Sequence, residues 1–188
     1  MSRKPEHAVP GATAVSQIVI QTERLTLRRL ELNDAAFILE LLNEPSFLRF
    51  IGDKGVRNLD GARAYILKGP IDSYARHGFG LYATCLRDGT PIGICGLVKR
   101  DGLDDEDVGF AFLSRYWSKG YAVESSSAVL MHARQVLRLQ RVVAITAPEN
   151  RASIAVLEKI GLKFKRTIKL AADASELNLF ASDPVNPP

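Results

Sequence analysis

The sequence predicts a mixed α/β domain built around one twisted sheet, and three observations predict it. Short apolar stretches with strand character recur along the chain. Longer segments carry apolar residues at helical spacing. The two kinds interleave instead of separating into blocks, in the order strand, two helices, three strands, helix, strand, helix and two strands.

The first strand is read in "ERLTLRRL", where Leu25, Leu27 and Leu30 nearly alternate with polar residues. Asn33 or Asp34 can cap the next helix, whose apolar face is Ala36, Phe37, Leu39, Leu41 and Leu42. "NEPSF" ends that helix, because Pro45 disfavours helical geometry at Glu44. A second helical stretch runs from Asn58 to about Arg76, interrupted or ended near Gly69-Pro70.

"GFGLYATCL" and "PIGICGLVKR" form a hairpin around "RDGT", with Asp88-Gly89 as a two-residue turn. In that register Arg87 faces Thr90, Cys85 faces Ile92 and Cys95 faces Tyr82. "DGLDDED" is an acidic loop, and "VGFAFL" is the next strand. From Lys119 the period changes: Ala122, Ser126, Val129, Ala133 and Val136 trace one long amphipathic helix. "RVVAITA" is continuous, apolar and β-branched, the pattern of a buried central strand. "NRASIAVLEKIG" is a helix with Asn150 at its N-cap and Gly161 as its stop. "LKFKRTIKL" and "SELNLFA" close the chain as antiparallel strands.

A chain of 188 residues holds one domain with a sizeable core. The domain is expected over 18–182, with a flexible tail over 1–17 and a loose end over 183–188. A net charge of +4 suits an anionic small molecule as well as a nucleic acid. No run of like charges suggests a nucleic-acid-binding tail, so no nucleic-acid partner is expected. Cys85 and Cys95, the only cysteines, point to opposite sheet faces in the hairpin register and cannot bond. They read as buried small hydrophobes in a reducing compartment. Pro5, Pro10 and Gly11 break any apolar run near the start, so no secretory signal is read. No segment approaches the ~20 apolar residues of a membrane span, and the expected location is cytoplasmic.

The chemistry gathers in "VGFAFLSRYWSKGYAVESSSAVLMHARQ", a strand, a short loop and a helix start. A helix N-terminus offers unpaired N–H groups and a positive dipole end, which suit a phosphate. Gly120 lets the backbone approach a bulky anion, Lys119 adds a mobile cation and Ser118 adds a hydroxyl donor. The turn is read either as a diphosphate cradle or as a plain connection eased by Gly120 with Lys119 in solvent. Neither G-x-x-x-x-G-K-[ST] nor G-x-G-x-x-G after a strand is present, which removes the P-loop and the usual dinucleotide fingerprint.

"DVGFAFLSRYWSKGYAVES" followed by "APENRASIAVLEKIGLKF" resembles the GNAT superfamily of N-acetyltransferases. It is most similar to the branch of the RimJ and RimL ribosomal-protein acetyltransferases. The resemblance covers most of the chain, from "TERLTLRRLELND" to the last strand. It implies a single GNAT-like domain: a mostly antiparallel sheet with a splayed central strand pair, "VGFAFL" and "RVVAITA", flanked by helices. It also implies acetyl-CoA as cosubstrate, with no metal. The family fingerprint Gln/Arg-x-x-Gly-x-Gly/Ala binds pyrophosphate through its backbone amides. Here it falls on Trp117, Ser118, Lys119, Gly120, Tyr121 and Ala122. Trp117 is common at its position in the branch. Ser118 stands where the branch has glycine, which stiffens the loop without removing a donor.

The resemblance further implies that pantetheine pairs with the strand backbone around Phe112 and Leu113, and that Asn150 bonds the pantetheine arm. Capping by Asn150 is compatible with that contact. Amine acetylation needs a neutral amine, a stabilised oxyanion and a protonated thiolate. Many members supply the acid from a tyrosine that here is Leu157, which has no proton to give. Ser153 is the remaining hydroxyl and the candidate partner of the coenzyme sulfur, with first-turn capping as its other reading. Asp107 is the candidate base, placed just before the strand; Glu124 and Glu149 are alternatives, and a free base is dispensable if the amine arrives neutral. His7, His77 and His132 show no triad or metal spacing, and His132 is read as structural.

The reading is an N-acetyltransferase whose acceptor is a protein N-terminus or a small amine; the resemblance implies acceptor-binding segments at residues about 47–76 and in "LAADASEL". A dimer is common in the family. The acidic loop is read as solvated, or as a lure for a cationic acceptor. Two other readings stand beside it: a non-catalytic CoA-binding module on the same fold, encouraged by Leu157, and an RNA-associated basic protein.

Overall fold

The computed structural model describes residues 17–172 and 174–183. Its strands are β1 (Ile18–Gln21), β2 (Leu25–Arg28), β3 (Leu81–Leu86), β4 (Pro91–Val98), β5 (Glu106–Phe112), β6 (Val142–Thr146), β7 (Lys163–Ile168) and β8 (Leu177–Ala181). The helices are α1 (Ala35–Leu42), α2 (Pro45–Phe50), α3 (Leu59–Ile66), α4 (Asp72–His77), α5 (Tyr121–Gln135) and α6 (Arg151–Lys159). One sheet runs β1-β2-β3-β4-β5-β6-β8-β7. Its pairs are antiparallel except β5 with β6.

Helices cover the two faces separately. Val129 and Ala133 of α5 and Leu157 of α6 pack over Val108, Phe112, Ala144 and Phe180. Phe37, Ile38 and Leu41 of α1, with Ala62 and Ile66 of α3, pack over Ala83, Ile94 and Leu113 on the other side. Burial of these apolar side chains is the main force holding the layers together.

The periodicity locates most elements, and the departures have local causes. β1 is an edge strand that the sequence reading leaves out, too short to show a period. Gln17 joins it, its carbonyl accepting from Arg29 N–H at 3.0 Å. The first helix does stop before Pro45, at Leu42. Pro45 then opens a further helix, α2, in the N1 position where its missing N–H costs nothing. Asn58 caps α3 by accepting from Gly61 N–H. The interruption near Gly69-Pro70 is a π-helical turn, Leu67–Ile71, that carries the chain from α3 into α4 without a break. Asp34 stands at the N-cap of α1 but spends its carboxylate on Arg28 and on Glu31 N–H. Val136, expected on the buried face of α5, lies past its last turn and is exposed.

The hairpin turn is one residue longer than expected. Leu86 N–H donates to Thr90 O and Gly89 N–H to Leu86 O, so Arg87, Asp88 and Gly89 form the loop. Gly89 takes φ 89, the left-handed residue that such three-residue turns need. Cys95 faces Tyr82 as expected, while Cys85 faces Pro91 instead of Ile92, across a bulge. The consequence for the thiols is unchanged. Cys85 is buried against α1 and Cys95 against α5, on opposite faces.

Gln17 is the only described residue of the expected 1–17 tail, and Asp183, paired with Lys163, the only one of the 183–188 end. The remaining residues of both segments, His7 among them, lie outside the described residues.

Candidate functional site

The parallel strands β5 and β6 are bridged only at Glu106–Val142 and Asp107–Val143. Beyond that point β5 stays with β4 as far as Phe112, and β6 stays with β8 as far as Thr146. A gap therefore opens toward the C-terminal ends of both strands. Helices α5 and α6 begin just beyond those ends, on one face of the sheet, so two helix N-termini meet the mouth of the gap. Ligands of open α/β sheets bind at such strand ends.

Strand register decides which backbone groups face the gap. Leu113 N–H donates to Ile92 O, so Leu113, Ala111 and Gly109 turn their polar groups toward β4. The intervening residues, Val108, Phe110 and Phe112, turn theirs toward the gap. The resemblance implies a docking edge at Phe112 and Leu113. Leu113 is committed to β4, and the Phe112 carbonyl accepts from the Trp117 indole N–H at 2.8 Å. The edge groups without a partner among the described residues centre on Phe110, with the Phe112 N–H beside them.

The loop from β5 to α5 carries two left-handed residues, Ser118 at φ 60 and Gly120 at φ 82. The serine takes a conformation that glycine adopts without cost. Gly120 is the N-cap of α5 and has no side chain to offer. Among the described residues, the first-turn amides of Tyr121 and Ala122 consequently have no acceptor.

Arg24 holds this turn from outside. Its Nη1 donates to Lys119 O at 2.9 Å and its Nε to Glu124 Oε2 at 2.6 Å. The guanidinium also lies 4.9 Å from the Tyr121 ring centre. Glu124 accepts in addition from Thr22 Oγ1 and from Arg24 N–H. Burial would raise the Glu124 pKa, but the bonds from Thr22 and Arg24 outweigh it and hold the carboxyl below its usual range. Glu124, an alternative base in the sequence reading, is thereby a tie between strand, turn and helix. Lys119 lies over the Tyr116 ring with its ammonium 5.3 Å from the centre, and is exposed to solvent.

At the start of α6, Asn150 Oδ1 accepts from Ser153 N–H at 3.1 Å. Asn150 performs the capping, so the half-buried Ser153 hydroxyl is not needed for it. Leu157 is 1% exposed and belongs to the core, so this position has neither a proton nor room for one. Glu149 is exposed in the preceding loop.

Asp107 stands inside β5, as its second residue, instead of before it. It is 1% exposed, ion-paired to Arg100 Nε through Oδ2, and its Oδ1 accepts from Ile145 N–H at 3.2 Å. Burial pushes its pKa up, against Arg100 and the Ile145 amide, which pull it down. Two other acids of the loop are also paired, Asp105 with Arg141 and Glu106 with Lys99. The Cys95 thiol is pushed up to about 11 by burial, and Cys85 is raised for the same reason, so neither is a nucleophile at neutral pH. Among the described residues no cluster of His, Cys, Asp and Glu could hold a metal, and no helix is long and apolar enough to cross a membrane.

The family model described as Acetyltransferase (GNAT) domain matches residues 24–163. The sequence is 30% identical over 154 residues to an uncharacterised N-acetyltransferase, YnaD, of Bacillus subtilis, covering 79% of this chain and 87% of that protein. The uncharacterised protein YkkB of the same organism is 29% identical over 155 residues, with the same coverage. Among solved structures, an acetyltransferase of the GNAT family from Bacillus anthracis superposes with a TM-score of 0.71 at 24% identity, covering 86% of this chain and 96% of that one. RimL, a ribosomal L7/L12 α-N-protein acetyltransferase solved with coenzyme A, superposes with a TM-score of 0.77 at 17% identity, covering 89% and 98%. The two structural likenesses concern the fold.

Proposed function

This chain belongs to the GNAT family of acetyltransferases, and from that premise we propose that it transfers the acetyl group of acetyl-CoA to a primary amine, either a protein N-terminal α-amine or a small-molecule amine. The observation that carries the reading is the uncapped start of α5 at the mouth of the parted strands. Unspent helix donors with a left-handed glycine fit a diphosphate, and an unpaired strand edge fits the amides of pantetheine.

Acetyl-CoA, when bound, supplies an activated acyl group that a neutral amine takes up directly. The chain's part is to hold, orient and exchange protons. The amides of Tyr121 and Ala122, with Gly120 allowing close approach, would hold the diphosphate, and Lys119 would add its charge beside them. Ser118 and Trp117 shape the turn. The backbone of Phe110 and the Phe112 N–H would receive the pantetheine arm. Asn150 would bond the same arm through its Nδ2, its Oδ1 being spent on the cap. The Ser153 hydroxyl would bond or protonate the coenzyme sulfur.

A non-catalytic CoA-binding module is the second reading, favoured by the buried Leu157. One experiment separates the two. Calorimetry with acetyl-CoA is followed by a thiol-release screen of N-terminal peptides and small amines. Binding with acceptor-dependent CoA release supports the transferase; binding without release by any acceptor supports the module. Absence of binding overturns both.

A further inference from the structure

We infer that Asp107 is a positioning residue: its carboxylate ends the β5–β6 ladder and keeps the two strands apart. The inference rests on the acetyl-CoA reading of the same gap.

The register shows what the carboxylate replaces. Ser182 N–H donates to Val142 O, so Val142, Ala144 and Thr146 turn toward β8. Val143 and Ile145 then turn toward β5, where Glu106, Val108 and Phe110 face them. The two bridges use the groups of Glu106, Val108, Arg141 and Val143. The next rung of a parallel ladder would run from Ile145 N–H to Val108 O. That N–H is taken instead by Asp107 Oδ1 at 3.2 Å. With this rung removed, the Val108 carbonyl and the polar groups of Phe110 remain directed into the gap.

Asp107 shares its side of β5 with Ala111 and Leu113, so its carboxylate reaches Ile145 from the face that carries α1 and α3. The face of α5 and α6 is left clear. Arg100 supplies the counter-charge that a 1%-exposed carboxylate requires. An apolar side chain at this position would leave Ile145 N–H without its acceptor, free to form the next rung to Val108 O, and the gap would close by that rung.

A general base and a wedge make opposite demands on this residue. The base needs the charge; the wedge needs one acceptor atom aimed at Ile145. In a Asp107→Asn/Arg100→Gln double variant the amide oxygen of Asn can still accept from Ile145. Gln Oε1 occupies the position of Arg Nε along the side chain, and there it accepts from the new amide instead of donating.

The test begins with wild type. Calorimetry must register acetyl-CoA binding, because failure there removes the acetyl-CoA reading and leaves the wedge to be judged from the apo protein. In apo wild type the Ile145 amide is expected to be protected from hydrogen exchange, although no β5 carbonyl pairs with it. Asp107→Ala should weaken acetyl-CoA at least about tenfold, seen as a raised Kd and KM with kcat far less affected. The double variant should stay within about threefold of wild type in Kd and in kcat. Rapid exchange at Ile145 in wild type overturns the inference, as does wild-type affinity in Asp107→Ala. A double variant that loses affinity overturns it too. One that binds normally but loses about a hundredfold or more in kcat identifies a base instead. If Asp107→Ala does not fold, the Ile145 exchange rate and the double variant decide.

Discussion

The indole N–H of Trp117 donates to the carbonyl of Phe112 across the turn that ends β5. Trp117 is the only tryptophan, and 45% of its surface is exposed at the mouth of the gap. The bond closes the last carbonyl of the strand edge where pantetheine is proposed to lie.

Intrinsic fluorescence should therefore report on this site without background. Titration with acetyl-CoA is expected to shift or quench the emission, with a midpoint equal to the calorimetric Kd. Trp117→Phe should abolish the signal and cost about 1 kcal/mol of stability for the lost bond. Emission unchanged at calorimetric saturation would separate Trp117 from the binding site.

Arg24 is half-exposed, yet it braces the Lys119 carbonyl and Glu124 together. Arg24→Ala is expected to weaken acetyl-CoA about tenfold, or 1.4 kcal/mol, while the melting temperature hardly moves. Arg24→Lys should not rescue it, because one ammonium cannot reproduce a fork that serves two acceptors. Gly120→Ala should be worse. It places a Cβ 3.2 Å from Arg24 Nη2 in a left-handed conformation that costs about 1–2 kcal/mol. Calorimetry beside thermal melts checks all three, and unaltered affinity in Arg24→Ala would remove the brace.

Asn150 and Ser153 divide their labour, and two substitutions should show it. Asn150→Ala loses the cap of α6, costing about 1 kcal/mol, and weakens acetyl-CoA as well. Ser153→Ala should leave stability and Kd near wild type and lower kcat. Full turnover by Ser153→Ala would end the proposed role of its hydroxyl.

The acid limb of stability should carry the signature of Glu124. Its folded pKa lies below the ordinary carboxylate value because Thr22 and Arg24 outweigh burial. A depressed carboxylate stabilises the fold above its unfolded pKa and loses that contribution as pH falls through the folded one. Wild type should therefore melt higher than Glu124→Gln at neutral pH, and the difference should shrink on acidification below the ordinary value of 4.5. A difference that stayed constant down to strong acid would show that the charge contributes nothing.

Much of this was legible in the residues. The alternation in "ERLTLRRL", the continuous "RVVAITA" and the spacing of Val129 and Ala133 are local patterns, and they locate strands and helices. The turn at Gly120 and the cap at Asn150 were equally plain, because one residue type fills one backbone requirement there. What stayed hidden was set by partners distant in the chain. Whether Phe110 or Leu113 faces the gap depends on a bond to Ile92, and a shift of one residue exchanges the two answers. Asp107 looked like the end of an acidic loop until Arg100 and the Ile145 amide were beside it. Arg24 and Glu124 meet across about a hundred residues with no shared motif. Residue types and their spacing determined by themselves the elements and a helix start fit for an anion. Only the tertiary structure decided which backbone groups and which carboxylates were already spent, since hydrogen bonds saturate and long-range register chooses their partners.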